Sequence, residues 1–524
     1  MAVPAPDLIL TNGRVITLDP LHPHARTVTI GASRVLSLSN EDLRGKNAPG
    51  AYVIDCRGMT VLPGFIDAHC HLAAYAHSLV TLNLEPRSNV RSLNDIQKAI
   101  RRLSLTLPPG AWIRGRGYDE FHLEEKRHPT RRDLDQATSD HPVKISHRSR
   151  QAHVLNSLAL SLVGIERTTP DPPDGLIERD VLTGEPTGLL YSMGGFLSGK
   201  APPLADDEYV RGIKQANANL VAVGITSLQD ASARNGVEEW RMFKRWKREG
   251  LLLPRVRMML GCAALNAYER GEFKSSLPEK ELATGGIKIK ISETTGRLLP
   301  DRNDLREMVL KIHRLGLQAV LHAIEENAIE AACLAIEYAV KKYPRQDHRH
   351  RIEHCSVCPP ALAGRLTSLG VMVVTQPSFI YYHGERYKKT VPPEQFAHLY
   401  PLATFLGKGV VVAGSSDFPL APPDPLAGIC AAVTRQAETG EILLPQEGIT
   451  AEQALRLFTQ NGALSAFEEQ EKGSLTPGKL ADLVVLSGDP MTLREEAIKD
   501  IRVMMTIING EVAWEGENGY PLPR

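Results

Sequence analysis

Short β-rich runs split by turn residues make up the first sixty positions: Leu8-Ile9-Leu10, Arg14-Val15-Ile16-Thr17-Leu18, Thr27-Val28-Thr29-Ile30 and Arg34-Val35-Leu36-Ser37-Leu38, with Asn12-Gly13 as a turn. The last fifty read the same way, through the apolar runs 481–486 and 503–508, the turn Asn509-Gly510 and Glu511-Val512-Ala513-Trp514. Both ends therefore predict short antiparallel strands, residues 1–60 and 470–524, joining in one small sheet domain because chain termini often lie close together. Between them apolar strands alternate with helical stretches, the signature of βα units and a parallel sheet. Eight buried strands are predicted at 61–67, 225–229, 256–260, 287–291, 318–321, 351–353, 371–375 and 410–413, with helices such as 305–315, 327–341 and 360–369 among them. Eight such strands predict an α/β protein with a closed (β/α)8 barrel over 61–469.

One block breaks the count. Residues 72–220 form a long insertion with a helix at 92–103 and an extra strand at 143–146. Barrel insertions sit in the loops at the C-terminal face, so this block is expected to wall or cover the pocket.

Composition narrows the function. The chain has 524 residues, 42% hydrophobic and 23% charged, enough to bury a large core. Lys+Arg and Asp+Glu both number 61, so no global field exists to hold nucleic acid or an anionic membrane. No basic stretch leads into an apolar core at residues 1–6, and no run of about 20 apolar residues exists, so neither a signal peptide nor a membrane span is expected. Seven scattered cysteines fit a reduced, cytoplasmic protein. The basic run from Lys341 to Arg351 reads as a solvated turn after a helix.

The candidate chemistry sits at strand ends. In Gly64-Phe65-Ile66-Asp67-Ala68-His69-Cys70-His71, residues two apart on a strand share a side, so His69 and His71 can converge on one metal. His322 ends Gln318-Ala319-Val320-Leu321-His322, His354 ends Arg351-Ile352-Glu353-His354, and Asp417 follows the run 410–416. Any one alone is more often a hydrogen-bonded strand-end residue; together on one barrel rim they point to a metal centre. Lys288 and Lys290 lie inside the apolar strand Ile287-Lys288-Ile289-Lys290-Ile291, where an unpaired ammonium is costly to bury. A lysine that takes up carbon dioxide becomes a carbamate able to bridge two cations; the alternative is a lysine pointing into a wet barrel mouth, and both lysines face the same way.

The order His-x-His, Lys, His, His, Asp resembles the amidohydrolase superfamily, specifically amidohydrolase family 3, the YtcJ-like branch. Further motifs carry the resemblance nearly end to end: Asn12-Gly13-Arg14-Val15-Ile16-Thr17, Pro63-Gly64-Phe65-Ile66-Asp67-Ala68-His69, Pro129-Thr130-Arg131-Arg132-Asp133-Leu134-Asp135, His153 with Asn156-Ser157, Gly414-Ser415-Ser416-Asp417-Phe418-Pro419 and Pro477-Gly478-Lys479-Leu480-Ala481-Asp482-Leu483. It implies a (β/α)8 TIM barrel, a small β-sandwich built from both termini and a divalent metal centre, usually zinc, of one or two ions. Carried over residue by residue, His69 and His71 bind the more buried metal and Asp417 shares it. Lys288 is the carbamylated bridge, and His322 and His354 bind the second metal. The chain departs from the family pattern at Ser292-Glu293-Thr294-Thr295-Gly296-Arg297 and at Glu325-Glu326, which leaves the ligands intact.

The expected chemistry is metal-assisted hydrolysis: a bound divalent cation lowers the pKa of its water from about 15.7 towards about 7, and a second polarises the carbonyl. Asp417 is expected to take the water's proton and pass it to the leaving group. His153, Asn156 and Tyr381, with its neighbour Tyr382, are the expected substrate contacts, and Arg150, Arg297 and Arg435 candidate anchors for a substrate carboxylate. The lysine favours hydrolysis of a C–N bond in a small amide, N-substituted formamide or cyclic amide. Alternatives are a deaminase, an esterase or lactonase, or a non-catalytic scaffold, the last opposed by the full ligand set. Cys355-x-x-Cys358 reads as incidental, and the glycines around Gly115 and Gly117 make no dinucleotide fingerprint. The resemblance also implies a homo-oligomer, a dimer.

Overall fold

In the computed structural model, which describes all residues except 1–4, 45–49, 174, 275, 276, 279, 294, 295 and 517–524, eight parallel strands follow one another in chain order around a barrel. They are β1 (Phe65–Cys70), β2 (Ile225–Asp230), β3 (Arg255–Gly261), β4 (Leu282–Lys290), β5 (Ala319–Ala323), β6 (Arg351–His354), β7 (Met372–Thr375) and β8 (Val412–Gly414). Helices between them bury one stripe each: Val237–Arg248 buries Trp240, Phe243 and Trp246, and Arg302–Arg314 buries Leu305, Val309 and Ile312 behind an Asp301 N-cap.

No ladder joins β8 to β1, so the ring closes by other bonds. Asp417 N–H donates to His69 O at 3.0 Å and His71 N–H to Phe418 O at 2.9 Å. Ser416 Oγ donates to Asp67 Oδ2 at 2.5 Å. The seam therefore runs through the residues that carry the candidate site.

The first predicted strand, 61–67, is corrected: it is two strands. Thr60–Pro63 pairs antiparallel with Leu483–Leu486 in a terminal sheet, and β1 starts only at Phe65. Gly64 makes the handover, where a Cβ would come within 2.3 Å of the Thr226 side chain. An apolar run that is buried in two successive sheets shows no change of period at the junction.

Both termini build two sheets. One runs Glu511–Glu515, Val503–Ile508, Leu483–Leu486, Thr60–Pro63, Arg14–Ile16, His24–Ala25; the other runs Arg34–Ser39, Thr27–Gly31, Leu8–Thr11, Tyr52–Asp55. Leu10, Val28 and Ile30 of one share a core with Val61, Val485 and Ile507 of the other, a β-sandwich. Its strands are not all antiparallel as expected, since Leu8–Thr11 pairs parallel with Tyr52–Asp55 and Arg14–Ile16 with Thr60–Pro63. At the start of β3 the buried Arg255 donates to Asp482 at 2.6 and 2.9 Å and to Asn509 at 2.6 Å, tying barrel to sandwich.

Residues 73–215 with 292–299 form a second compact unit. Where one strand was expected, at 143–146, this unit has a six-stranded sheet in the order Leu176–Arg179, Pro186–Tyr191, Ala152–Leu155, Val143–His147, Ile113–Tyr118, Leu82–Asn83. Its strands are short, and Ile113–Tyr118 and Val143–His147 alternate buried with polar or charged residues, a weaker signal than the continuous apolar runs of the barrel. The helix Leu93–Ser104 starts with a capping box between Ser92 and Asp95.

Candidate metal centre

Every predicted ligand lies at the C-terminal end of a barrel strand. His69 is the fifth residue of β1 and His71 follows its last; Lys288 lies in β4, His322 in β5 and His354 ends β6; Asp417 comes three residues after β8. The structure brings them together. One ligand atom each of His69, His71 and Asp417 lies within 4.8 Å of the other two, and Asp417 Oδ1 is 3.6 Å from His69 Nε2 and 3.1 Å from His71 Nε2. Ring centroids of His69 and His354 are 4.9 Å apart, and those of His354 and His322 4.4 Å. His354 and Asp417 adopt left-handed backbones, φ 70° and 56°, a conformation costing on the order of 1–3 kcal/mol that tends to persist at functional sites.

A second layer orients these rings, and the sequence reading missed it. Glu353 contacts Nδ1 of His69 through Oε2 and accepts Arg351 Nε at 2.6 Å through Oε1. Gln376 Oε1 is 2.8 Å from Nδ1 of His354, and Ser232 Oγ 3.0 Å from Nδ1 of His71. In each case Nδ1 is engaged, which leaves Nε2 for a ligand. Arg351 and Glu353 are alternate residues of a buried strand ending in a ligand. Two charges there, both turned into the barrel, were the available signal.

Electrostatics suit a cation. Burial, then Lys288, holds His69 well below the usual imidazole range; burial, then His354, does the same for His322. Both rings are neutral, as metal ligands must be. Burial favours the neutral acid of Asp417, but His69 and His71 overcome it and keep the carboxylate below its usual range. Burial raises Asp67 to about 7 against the bonds from Ser416. Lys288 lies 4.0 Å from Glu353 Oε2, and burial brings its ammonium down to about 8. Neither Asp417 Oδ1 nor Lys288 Nζ, both buried, has a hydrogen-bond partner among the described residues. Neutral imidazoles, one ionised carboxylate and orphaned polar atoms at one point are a donor set that fits a divalent cation.

The two lysines separate by depth: Lys288 is buried and Lys290 exposed at the strand's end. Cys70 points away from the ligands, its Sγ donating to Gln229 O.

The expected substrate contacts fare unevenly. Tyr381 lies on the helix Ser378–Thr390 after β7, half-buried against an apolar cluster with Phe379, Tyr400 and Leu443. His153 lies in the second unit, with Nδ1 2.9 Å from Ser146 Oγ. Asn156 is corrected from a substrate contact to a structural residue. It is fully buried; its Oδ1 accepts Val143 N and Ala159 N, capping Ser157–Val163, and its Nδ2 donates to His141 O. Arg435 is likewise no carboxylate anchor, because its buried guanidinium donates to the carbonyls of Leu443, Tyr400 and Leu399. Cys355 and Cys358 are buried free thiols.

The amidohydrolase family model matches residues 52–513. An N-substituted formamide deformylase of Arthrobacter pascens is 29% identical over 540 residues, covering 97% of this chain and 98% of that protein. The putative amidohydrolase YtcJ of Bacillus subtilis is 29% identical over 502 residues, 91% of this chain and 93% of its own. Among solved structures, an uncharacterized metal-dependent hydrolase from Pyrococcus horikoshii superposes with a TM-score of 0.74 at 24% identity, covering 93% of this chain and 99% of that one. With its barrel, its terminal sandwich and its rim of histidines, the chain belongs to the amidohydrolase family, as a metal-dependent hydrolase of carbon–nitrogen bonds.

Proposed function

We propose that the chain hydrolyses the C–N bond of a small amide, with N-substituted formamides foremost and cyclic amides next. The observation that carries this reading is Asp417: buried, ionised, and with Oδ1 beside the Nε2 atoms of His69 and His71. In this reading His69, His71, His322, His354 and Asp417 hold zinc, and Lys288 joins them as a carbamate. The deformylase relative supports the formamide as first choice.

When bound, zinc supplies a water of lowered pKa and polarises a carbonyl oxygen. The chain's own residues do the rest. Asp417 Oδ1 accepts the proton of the attacking water and returns it to the leaving nitrogen, so that an amine departs rather than an amide anion. Glu353, Ser232 and Gln376 keep the imidazoles in one tautomer and orientation. The shift of Lys288 towards about 8 raises the fraction of free amine, the form that adds to carbon dioxide. The balanced charge and seven free cysteines favour work in the cytoplasm on a small molecule.

A second reading rests on the 4.0 Å approach of Lys288 to Glu353. There Lys288 stays an ammonium, the centre holds one ion, and deaminase substrates move forward. Metal content of protein expressed with zinc and bicarbonate, beside a Lys288→Ala variant, separates the two. Two ions falling in the variant favour the bridged pair; one ion, unchanged, favours the second reading. Formate release from a panel of N-substituted formamides then tests the substrate, and turnover of none of them rejects it.

A further inference from the structure

Two neighbouring strands in the sheet of the second unit turn basic side chains to one face, beside the apolar cluster of Leu155, Leu190 and Ile177. Along Ile113–Tyr118, Ile113 and Gly115 are buried while Arg114 and Arg116 alternate to the other side. Along Val143–His147, Val143 and Ile145 are buried while Lys144 and Ser146 alternate. Parallel register sets Arg114 beside Lys144 and Arg116 beside Ser146; antiparallel register then sets Ser146 beside His153. The parallel register thus sets two basic side chains, Arg114 and Lys144, directly side by side.

Arg116 is tied within the unit, its Nε donating to Ser78 O at 2.6 Å and its Nη1 to Glu85. Arg114 gives one Nη2 hydrogen bond to Pro202 O at 2.6 Å; a guanidinium offers five N–H donors in a fork that matches an oxyanion. Glu208 also acts on Arg114. His77 precedes Ser78 on the helix Leu72–Leu79, the helix that Arg116 bonds. Burial, then the charges of Lys144, Arg150, Arg114 and Arg116, press its pKa down to about 4. The field at His77 is therefore positive, in a partly buried place where charge is poorly screened.

We propose that this face is a binding site for an oxyanion, the carboxylate or phosphate group of a small molecule, held by Arg114, Lys144 and His77. The proposal stands on this unit's residues and is independent of the metal centre.

Calorimetric titration of the full chain with inorganic phosphate and, separately, succinate tests it. We expect saturable binding of at least one probe, weakened about tenfold by Lys144→Gln and by Arg114→Gln, with wild-type melting temperatures. The uncharged Lys144→Met serves if either fails to fold. The His77 imidazole, followed by 13C-histidine NMR and assigned with His77→Asn, should titrate at least about one pH unit higher with the anion bound. The stronger probe tells phosphate from carboxylate. No saturable binding, binding unchanged by both substitutions, or binding lost only when metal is stripped would overturn the proposal.

Discussion

The carboxylate of Glu353, at the end of β6, sits against Nδ1 of His69 at the end of β1, so that Nε2 is the nitrogen that faces Asp417. Glu353 is fully buried and lies between His69, Arg351 and Lys288. One side chain thus engages Nδ1 of a candidate ligand and accepts a bond from the buried arginine beside it. Removing the charge by Glu353→Gln should lower metal affinity by about 10–100-fold with all ligands still in place. Competition with a chelator measures this, and an unchanged affinity would show that the contact orients nothing.

Asp417→Asn keeps a side chain of the same shape on the same left-handed backbone but cannot accept a proton. We expect hydrolysis to fall by about 10²–10⁴-fold while most of the metal stays bound. Metal analysis alongside turnover distinguishes this from simple loss of the site. Retained turnover in the loaded variant would remove Asp417 from proton transfer.

The buried Arg255–Asp482 pair should matter through what is left when it breaks. Asp482→Asn strands a guanidinium with Glu281 3.1 Å away as its remaining carboxylate. It should destabilise by about 3–5 kcal/mol, whereas the double change Arg255→Met with Asp482→Leu should recover much of that. Thermal melting of the three proteins checks the order, and a double variant no better than Asp482→Asn contradicts it.

Acid should weaken the barrel through three histidines below the strands. His350 Nδ1 accepts Ala319 N–H at 2.9 Å, so its Nε2–H donates to His313 Nδ1 at 2.8 Å, and His313 Nε2–H donates to Tyr343 O at 2.6 Å. His348 Nδ1 accepts His350 N–H and its Nε2–H donates to Leu369 O. Every ring nitrogen is satisfied in the neutral form alone. Burial first, then neighbouring histidines and Arg345, lowers His348 and His350 below 6.5, and burial lowers His313. The unfolded chain therefore binds more protons, so this stability is present above about pH 6.5 and is lost as the pH falls. Urea midpoints at pH 7.5 and 5.5 should differ, and less so in His350→Gln. An equal drop in both proteins would clear the triad.

The candidate ligands were legible because each follows an apolar run at a strand end, where a barrel must bring side chains to one rim. His69, His71, His322, His354 and Asp417 needed only that rule and their order along the chain. Register and depth were not legible. Lys288 and Lys290 have identical local surroundings in the sequence, yet the end of β4 buries one and exposes the other. Asn156 follows a histidine like a binding residue, but its amide is spent on the Val143 strand and a helix N-terminus. Gly64 hides the passage from sandwich to barrel because both sides of the junction are equally buried. Sequence periodicity thus determined which segments are strands and which residues stand at their ends. Only the tertiary structure decided that Glu353 reaches His69, since that contact joins residues 284 apart and depends on how the ring closes.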